Sequence, residues 1–151
     1  MMRYSLIYGT IAGVIIFGLS FLVFLSGALG HIDNPLYGYL IMIAGLTMIF
    51  VGVKRYRDVE LGGVIRFGRA LLLGVGIAMV ASIIYVAGFE IYYLTPPGQR
   101  MFAWLIDYDS ALANPLYRWP MEMLEILPVD AVMALLSAAI LSNPRVLPAR
   151  G

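Results

Sequence analysis

Four long apolar stretches constrain the fold of this chain more than any other feature of the sequence. They span about residues 4–29, 36–53, 70–94 and 126–141. A helix that crosses the hydrocarbon core of a bilayer needs about 20 mostly apolar residues. Only 13% of the residues are charged, against about 25% in a soluble domain. The sequence therefore predicts an all-α integral membrane protein: a four-helix transmembrane bundle that forms a single domain over residues 1–151.

The flanks of these stretches refine the prediction. The first stretch exceeds the 7–15 apolar residues of a signal peptide, so we expect it to be retained as a signal anchor. The fourth is the shortest and contains Asp130, so we expect it to borrow a turn from residues 121–125 or to extend polar side chains to the boundary at its ends. Between the third and fourth, Pro96-Pro97-Gly98 should end the third helix. Residues 100–112 then have an amphipathic pattern, which predicts a short interfacial helix in the outer loop.

Basic residues gather on one side of the predicted bundle. That side holds Arg3, Lys54, Arg55, Arg57, Arg66, Arg69, Arg145 and Arg150. The other side holds only Arg100 and Arg118. Because loops rich in Lys and Arg stay in the cytoplasm, we expect a multi-pass protein of the bacterial inner membrane with both termini cytoplasmic.

Small residues at helical spacing predict where helices touch, since helices in lipid associate through close backbone approach. The stripes are Gly9 and Gly13; Gly38, Gly45 and Gly52; Gly74 and Ala78, with Ala70 and Ser82; and Ala134, Ala138 and Ser142. They either pack within the bundle or, most plausibly at Gly9 and Gly13, form a homodimer. The sequence leaves both possibilities open.

The predicted loop over residues 54–69 has the highest density of charged side chains. Lys54, Arg55, Arg57 and Arg66 could together bind an anionic lipid headgroup or a phosphate. The alternative is a basic loop that sets the topology and touches lipid without specificity.

The same loop resembles a family of small four-helix bacterial membrane proteins known only as a domain of unknown function. The shared features are a basic residue, the triplet Tyr56-Arg57-Asp58, the pair Gly62-Gly63 and a spaced aromatic residue, Phe67. The resemblance extends over the whole chain and implies the four-helix membrane fold, but no activity. The chain departs from the family pattern in a shorter outer segment and in Asp130, where a small residue is usual.

Two acids lie within the apolar stretches, Glu90 in the third and Asp130 in the fourth. Ionisable groups inside a membrane are costly and are functional-site candidates by default. We expect both near the outer boundary, because Glu90 lies about 30 Å along the helix from Ala70 and Asp130 lies one turn into its stretch. Glu90 could pair with Arg100 or Arg118. Alternatively, the two acids could form an intramembrane pair that shares a proton.

Other chemistry finds no support in the sequence. Cysteine is absent, His31 is the only imidazole, and no phosphate-binding glycine loop or nucleophile elbow occurs. No basic and aromatic pattern indicates nucleic acid. We therefore predict a non-enzymatic protein without cofactor or metal that assembles with itself, a partner membrane protein or membrane lipids. The alternative is a small proton- or cation-coupled carrier or channel that uses Glu90 and Asp130, and a membrane enzyme acting on lipid-linked substrates ranks lowest.

The charge asymmetry makes a testable prediction about topology. A green fluorescent protein fused after Gly151 should fluoresce, and an alkaline phosphatase at the same position should be inactive, because the C-terminus stays in the cytoplasm. Fusions made after Asp109 should behave in the opposite way. An active phosphatase at the C-terminus would contradict the predicted orientation.

Overall fold

A computed structural model of the chain describes residues 1–25 and 36–143. Its helices, in chain order, are α1 (Met2–Leu25), α2 (Leu36–Glu60), α3 (Phe67–Tyr93), α4 (Pro96–Tyr108), a 3₁₀ turn (Ser110–Ala113) and α5 (Pro115–Ser142). In this part of the chain, four helices (α1, α2, α3 and α5) are long and apolar enough to cross a membrane. The predicted all-α, four-helix membrane fold with a short extra helix is confirmed. The segment around His31 and Asp33, and the tail from Arg145, lie outside the described residues.

Aromatic contacts show how the helices run. The Phe17 ring contacts Phe89, and the Phe21 ring, one turn later on α1, contacts Tyr92, which is also later on α3. Helices α1 and α3 therefore run parallel. Close to the start of α1, the Tyr4 hydroxyl donates to Glu60 Oε1 at 3.0 Å, so α2 runs antiparallel to α1. We call the end of the bundle that holds Glu60 and Phe67 the basic end. The end that holds Tyr93 and Pro115 is the loop end.

Helix α2 ends at Glu60 and not at Val53 as predicted. Asp58 explains the extension, because its carboxylate accepts from Lys54 Nζ at 2.7 Å and from Arg57 Nε at 2.6 Å. Pairs four residues apart stabilise a helix. The predicted basic loop is therefore mostly helical. A short turn follows, in which Gly62 and Gly63 have φ values of 62° and 93°, a backbone conformation that glycine adopts without strain.

Helix α5 begins at Pro115, about three turns before the predicted start at residue 126. The Asn114 side chain accepts from the Leu116 backbone N–H at 3.0 Å and caps the helix. Pro120 and Pro128 lie inside the helix. As a result, Asp130 lies about 22 Å from the start of α5 and about 18 Å from its end. The expectation that Asp130 sits one turn into the helix is wrong, because it is close to the middle.

The predicted interfacial helix is present as α4 but shifted toward the N-terminus. Pro96-Pro97 ends α3 and also begins α4, since proline suits the first turn of a helix. The Thr95 hydroxyl accepts from the Gly98 backbone N–H at 3.2 Å. Beyond the end of α4 at Tyr108, the Asp109 carboxylate accepts from the Ala111 backbone N–H at 2.9 Å and caps the 3₁₀ turn.

Gly9 and Gly13 pack against α3 of the same chain. A Cβ atom added at Gly9 would lie 2.5 Å from Cβ of Val80 and 2.7 Å from the carbonyl oxygen of Ile77. At Gly13 it would lie 2.7 Å from the carbonyl oxygen of Ala81. Both glycines are buried within the bundle. The stripe therefore serves intramolecular packing, and this arrangement leaves it unavailable for a homodimer.

The glycine stripe of α2 is used at two of its three positions. An added Cβ would collide with Ile16 at Gly45 and with the Tyr8 ring at Gly52, where it would come within 2.8 Å of Cγ. At Gly38 no described atom lies within 4 Å, so the predicted stripe does not continue to this position in the described part of the chain.

The predicted stripes of α3 and α5 face each other. A Cβ at Gly74 would lie 3.2 Å from Cβ of Ala134, and both Ala78 and Ala138 are buried. Large apolar side chains fill the space beside these close contacts, namely Ile16, Leu46, Ile49, Val53, Leu73, Ile77 and Leu141. Small residues thus bring the helix backbones together, and branched residues fill the remaining core.

Two alanine substitutions on α1 should change stability in opposite directions. Gly9→Ala should lower the free energy of unfolding by about 1–3 kcal/mol, because the new methyl group overlaps Val80 and Ile77. Gly18→Ala is the matched control: no described atom lies within 4 Å of its Cβ position. It should stabilise by up to about 1 kcal/mol through helix propensity. Thermal unfolding in a mild detergent measures both, and equal effects would contradict the packing of α1 on α3.

Candidate functional site

Matching stripes of every fourth residue join α3 to α5. On α3 the stripe is Ala70, Gly74, Ala78, Ser82, Val86 and Glu90; on α5 it is Arg118, Glu122, Ile126, Asp130, Ala134 and Ala138. Residues four apart share one helix face. Contacts of Glu90 with Arg118, Ser82 with Asp130 and Gly74 with Ala134 set an antiparallel register. We call this contact the α3–α5 seam. Its residues are small and apolar toward the basic end and polar toward the loop end.

A bidentate ion pair closes the seam at the loop end. Arg118 donates from Nε to Oε1 of Glu90 at 2.6 Å and from Nη2 to Oε2 at 2.7 Å. Its side chain is 2% exposed. Nη1 donates to the Leu112 carbonyl at 2.9 Å, and the guanidinium lies 4.1 Å from the centre of the Tyr93 ring. Such charge-assisted, planar contacts are among the stronger polar interactions in proteins.

Arg118 therefore holds together three parts of the chain: the end of α3, the 3₁₀ turn and the first turn of α5. The expectation that Glu90 could pair with Arg118 is confirmed. Arg100, the other candidate partner, instead donates to the carbonyl of Pro96 at 3.3 Å. The sequence did not single out Arg118 as a site residue, although its position four residues before Glu122 on a polar stripe was a usable signal.

Asp130 lies deeper in the seam and is 4% exposed. Its Oδ2 accepts from the Ser82 hydroxyl at 2.8 Å. Its Oδ1 is buried and has no hydrogen-bond partner in the described part of the chain. Ser82 was predicted only as a packing residue; its role as the partner of Asp130 follows from the register of the two stripes.

The two acids predicted as a pair are not brought together. Glu90 is bound to Arg118, which lies twelve residues before Asp130 on α5, a distance of about 18 Å along the helix. Glu90 and Asp130 lie at different depths because α5 starts at Pro115, which places Asp130 near the middle of that helix. Between them on the stripe, Glu122 has a buried Oε2 atom without a hydrogen-bond partner within the described residues.

The four residues of the predicted headgroup site also separate. Arg57 is fully buried, and its Nη1 atom lies 3.4 Å from the carbonyl oxygen of Leu141 on α5. Arg55 and Arg66 are exposed, and Lys54 is partly exposed while paired with Asp58. Arg57 thus ties α2 to the end of α5. Only the other three residues remain on the surface at the basic end.

An apolar groove of about 350 Å³ lies beside the seam, toward the loop end. Its walls are Ile83, Val86, Ala87, Glu90, Ile91, Trp119 and Met123. Ile83, Ile91 and Trp119 are exposed at its surface, where they would face the hydrocarbon of a bilayer. Over residues 1–25 and 36–143, no three His, Asp or Glu side chains lie close enough to hold a metal ion.

Comparison with known proteins gives one match. A family model described as "Protein of unknown function (DUF4199)" covers residues 7–143. No curated protein and no solved structure matches the chain significantly. The description of the family assigns it no activity.

Breaking the ion pair of the seam should be costly. Glu90→Gln leaves Arg118 as a buried charge without its counter-ion, which should lower the free energy of unfolding by about 3–5 kcal/mol. Arg118→Gln should do the same to Glu90, and the double variant should lose less than the sum of the two. Arg100→Gln, at an exposed position, should change stability by less than about 0.5 kcal/mol. Additive effects in a double-mutant cycle in detergent would show that the pair contributes no coupling.

Proposed function

We propose that this chain, which belongs to the DUF4199 family of proteins of unknown function, is a non-enzymatic protein of the bacterial inner membrane that works by binding membrane lipid. The observation that carries the proposal is the apolar groove between α3 and α5. Its volume of about 350 Å³ lies within the range of roughly 300–1,000 Å³ that is usual for ligand pockets. We assign it to an acyl chain of a phospholipid.

The residues that remain on the lipid-facing surface favour a lipid over a partner helix. Helices associate in membranes through stripes of small residues, and the main stripes here are already used inside the chain. On the described helices, the glycines with open space around them are Gly18, Gly38 and Gly68. None of these has another glycine four residues away. A second helix would therefore find no extended close-contact face of this kind.

The walls of the groove suit a flexible hydrocarbon chain. Ile83, Ile91 and Met123 offer long or branched apolar side chains, and Trp119, next to Arg118 on α5, lies toward the loop end. Tryptophan favours the boundary between hydrocarbon and headgroups, so the indole would lie near the glycerol region of the bound lipid. Glu90 is the one charged residue of the lining, and its charge is neutralised by Arg118.

Basic side chains at the other end add a second contact with lipid. Lys54, Arg55 and Arg66 are at least partly exposed near the turn between α2 and α3. If the basic end faces the cytoplasm, as the charge asymmetry indicates, these residues meet anionic headgroups of the inner leaflet. The groove would then hold a lipid of the outer leaflet, and the protein would bind lipid in both.

The carrier alternative loses the feature on which it depended. It required Glu90 and Asp130 to share one site, whereas Glu90 forms a closed ion pair with Arg118 and Asp130 bonds to Ser82. The small residues of the seam bring α3 and α5 into close contact on the basic-end side of Asp130. The geometry therefore favours lipid binding over transport.

Filling the groove tests the proposal. Ala87→Phe places a ring in the groove and should reduce the phospholipid retained by the purified protein roughly tenfold. A tenfold loss of affinity corresponds to about 1.4 kcal/mol. The lipid loses about this much if two of its methylene groups, at ~0.8 kcal/mol each, can no longer be buried in the groove. Ala44→Phe is the matched control, since Ala44 is exposed on α2 and does not line the groove. Native mass spectrometry of the protein released from detergent counts the bound lipids.

Two results would overturn lipid binding at this site. Equal lipid retention by both variants and the wild type would show that the groove holds no specific lipid. A wild-type dimer that Ala87→Phe converts to monomers, with lipid retention unchanged, would assign the groove to a second copy of the chain.

A further inference from the structure

The Ser82 hydroxyl lies between two acceptors but carries a single proton. Its Oγ atom is 2.8 Å from Oδ2 of Asp130 and 3.1 Å from the carbonyl oxygen of Ala78, one turn earlier on α3. A serine hydroxyl has one O–H donor and can accept through its lone pairs. Which of the two oxygens receives the proton therefore depends on whether Asp130 itself carries one.

With Asp130 ionised, the hydrogen bonds are incomplete. Ser82 must give its proton to Oδ2, and Oδ1 remains buried without a partner in the described part of the chain. The carboxylate would then receive one hydrogen bond while 4% exposed near the middle of a membrane-crossing helix. A buried charge needs a counter-ion or several donors to offset its lost hydration.

With Asp130 protonated, each donor finds an acceptor. The acid donates from Oδ2 to Ser82 Oγ, and Ser82 donates onward to the Ala78 carbonyl, at the distances observed. No net charge remains, and only the weakly accepting Oδ1 lacks a partner among the described residues. We propose that Asp130 is a proton-binding site in the middle of the bundle, which holds one proton in a chain from Asp130 through Ser82 to the Ala78 carbonyl.

The helices packed around Asp130 supply no nearby countercharge in the part of the chain that the structure describes. On α2 the core-facing residues are apolar until Arg57, which lies against Leu141, about 16 Å along α5 from Asp130. On α3, Ser82 is followed one turn later by Tyr85 and then, at the end of the helix, by Glu90. The 3₁₀ turn Ser110–Ala113 has no charged residue.

The neighbours on α5 itself do not neutralise Asp130 either. Glu122 has the same sign and lies about 12 Å away, and Arg118 lies about 18 Å away in its pair with Glu90. Ile126 and Ala134, one turn to either side on the same stripe, are fully buried. Water therefore reaches the proton only when the α3–α5 seam separates, so exchange of this proton is tied to opening of the seam.

Infrared spectroscopy of the purified full chain in detergent tests the site directly. The wild type at neutral pH should show the C=O stretch of a protonated carboxylic acid, and Asp130→Asn should remove it. Ser82→Ala should move the band to higher frequency, because the acid loses its hydrogen-bond acceptor. Glu122→Gln is the control. This neighbouring half-buried acid lies outside the hydrogen bonds that join Asp130, Ser82 and Ala78, so its substitution should leave the Asp130 band unchanged.

The alternatives give distinct results. A wild type without a carboxylic acid band at neutral pH, or a band that Asp130→Asn leaves unchanged, would overturn the proposal. A band that is lost in Glu122→Gln and unchanged in Asp130→Asn would assign the proton to Glu122 instead. If Asp130→Asn yields no folded protein, Ser82→Ala decides, and a band at the wild-type frequency would then refute the proton chain.

Discussion

The cost of burying charge in a membrane is the constraint on which the loop end of this structure depends. Arg118 is one of the two arginines toward that end, and it lies against the 3₁₀ turn with 2% of its side chain exposed. Glu90 offsets its charge, and the Leu112 carbonyl and the Tyr93 ring take up its remaining surface. The 3₁₀ turn before α5 can therefore pack against the end of α3, because one guanidinium satisfies groups from both.

Polar pairs also set the register of the two helices. Sliding α5 by one turn along α3 would place Glu90 opposite Glu122 or Asn114, and Ser82 opposite Ile126 or Ala134. Either shift would separate Glu90 from Arg118 and Asp130 from the Ser82 hydroxyl, and a buried polar group without its partner is costly in an apolar medium. The small residues Gly74 and Ala134 allow close approach along the seam but tolerate several registers. Small residues thus provide proximity, and the polar pairs provide specificity.

Hydropathy alone is enough to predict the four membrane helices, but not the residue at which α2 ends or the residue at which α5 begins. Windows over α5 lose their apolar signal through Arg118, Glu122 and Glu125, although the first of these is buried. The late start then placed Asp130 at the wrong depth and suggested a pair with Glu90. The sequence places Lys54 and Arg57 in a loop for a similar reason, because charged residues are expected to mark the membrane boundary. Their real environment depends on partners, Asp58 and Leu141, that are set by tertiary structure. Glycine spacing correctly indicated close contacts at Gly9, Gly13 and Gly74, but spacing cannot name the helix on the other side.

The groove and the proposed proton site both include residues of α3, so lipid binding and proton binding, if both occur, would be thermodynamically linked. Val86 and Glu90 line the groove and belong to the same α3 stripe as Ser82, which bonds to Asp130. If a lipid chain occupies the groove as proposed, it would contact both α3 and α5 and favour the closed seam, and the closed seam would in turn favour the proton on Asp130. Since such coupling is reciprocal, proton release would weaken lipid binding by the same factor by which lipid loss would promote proton release.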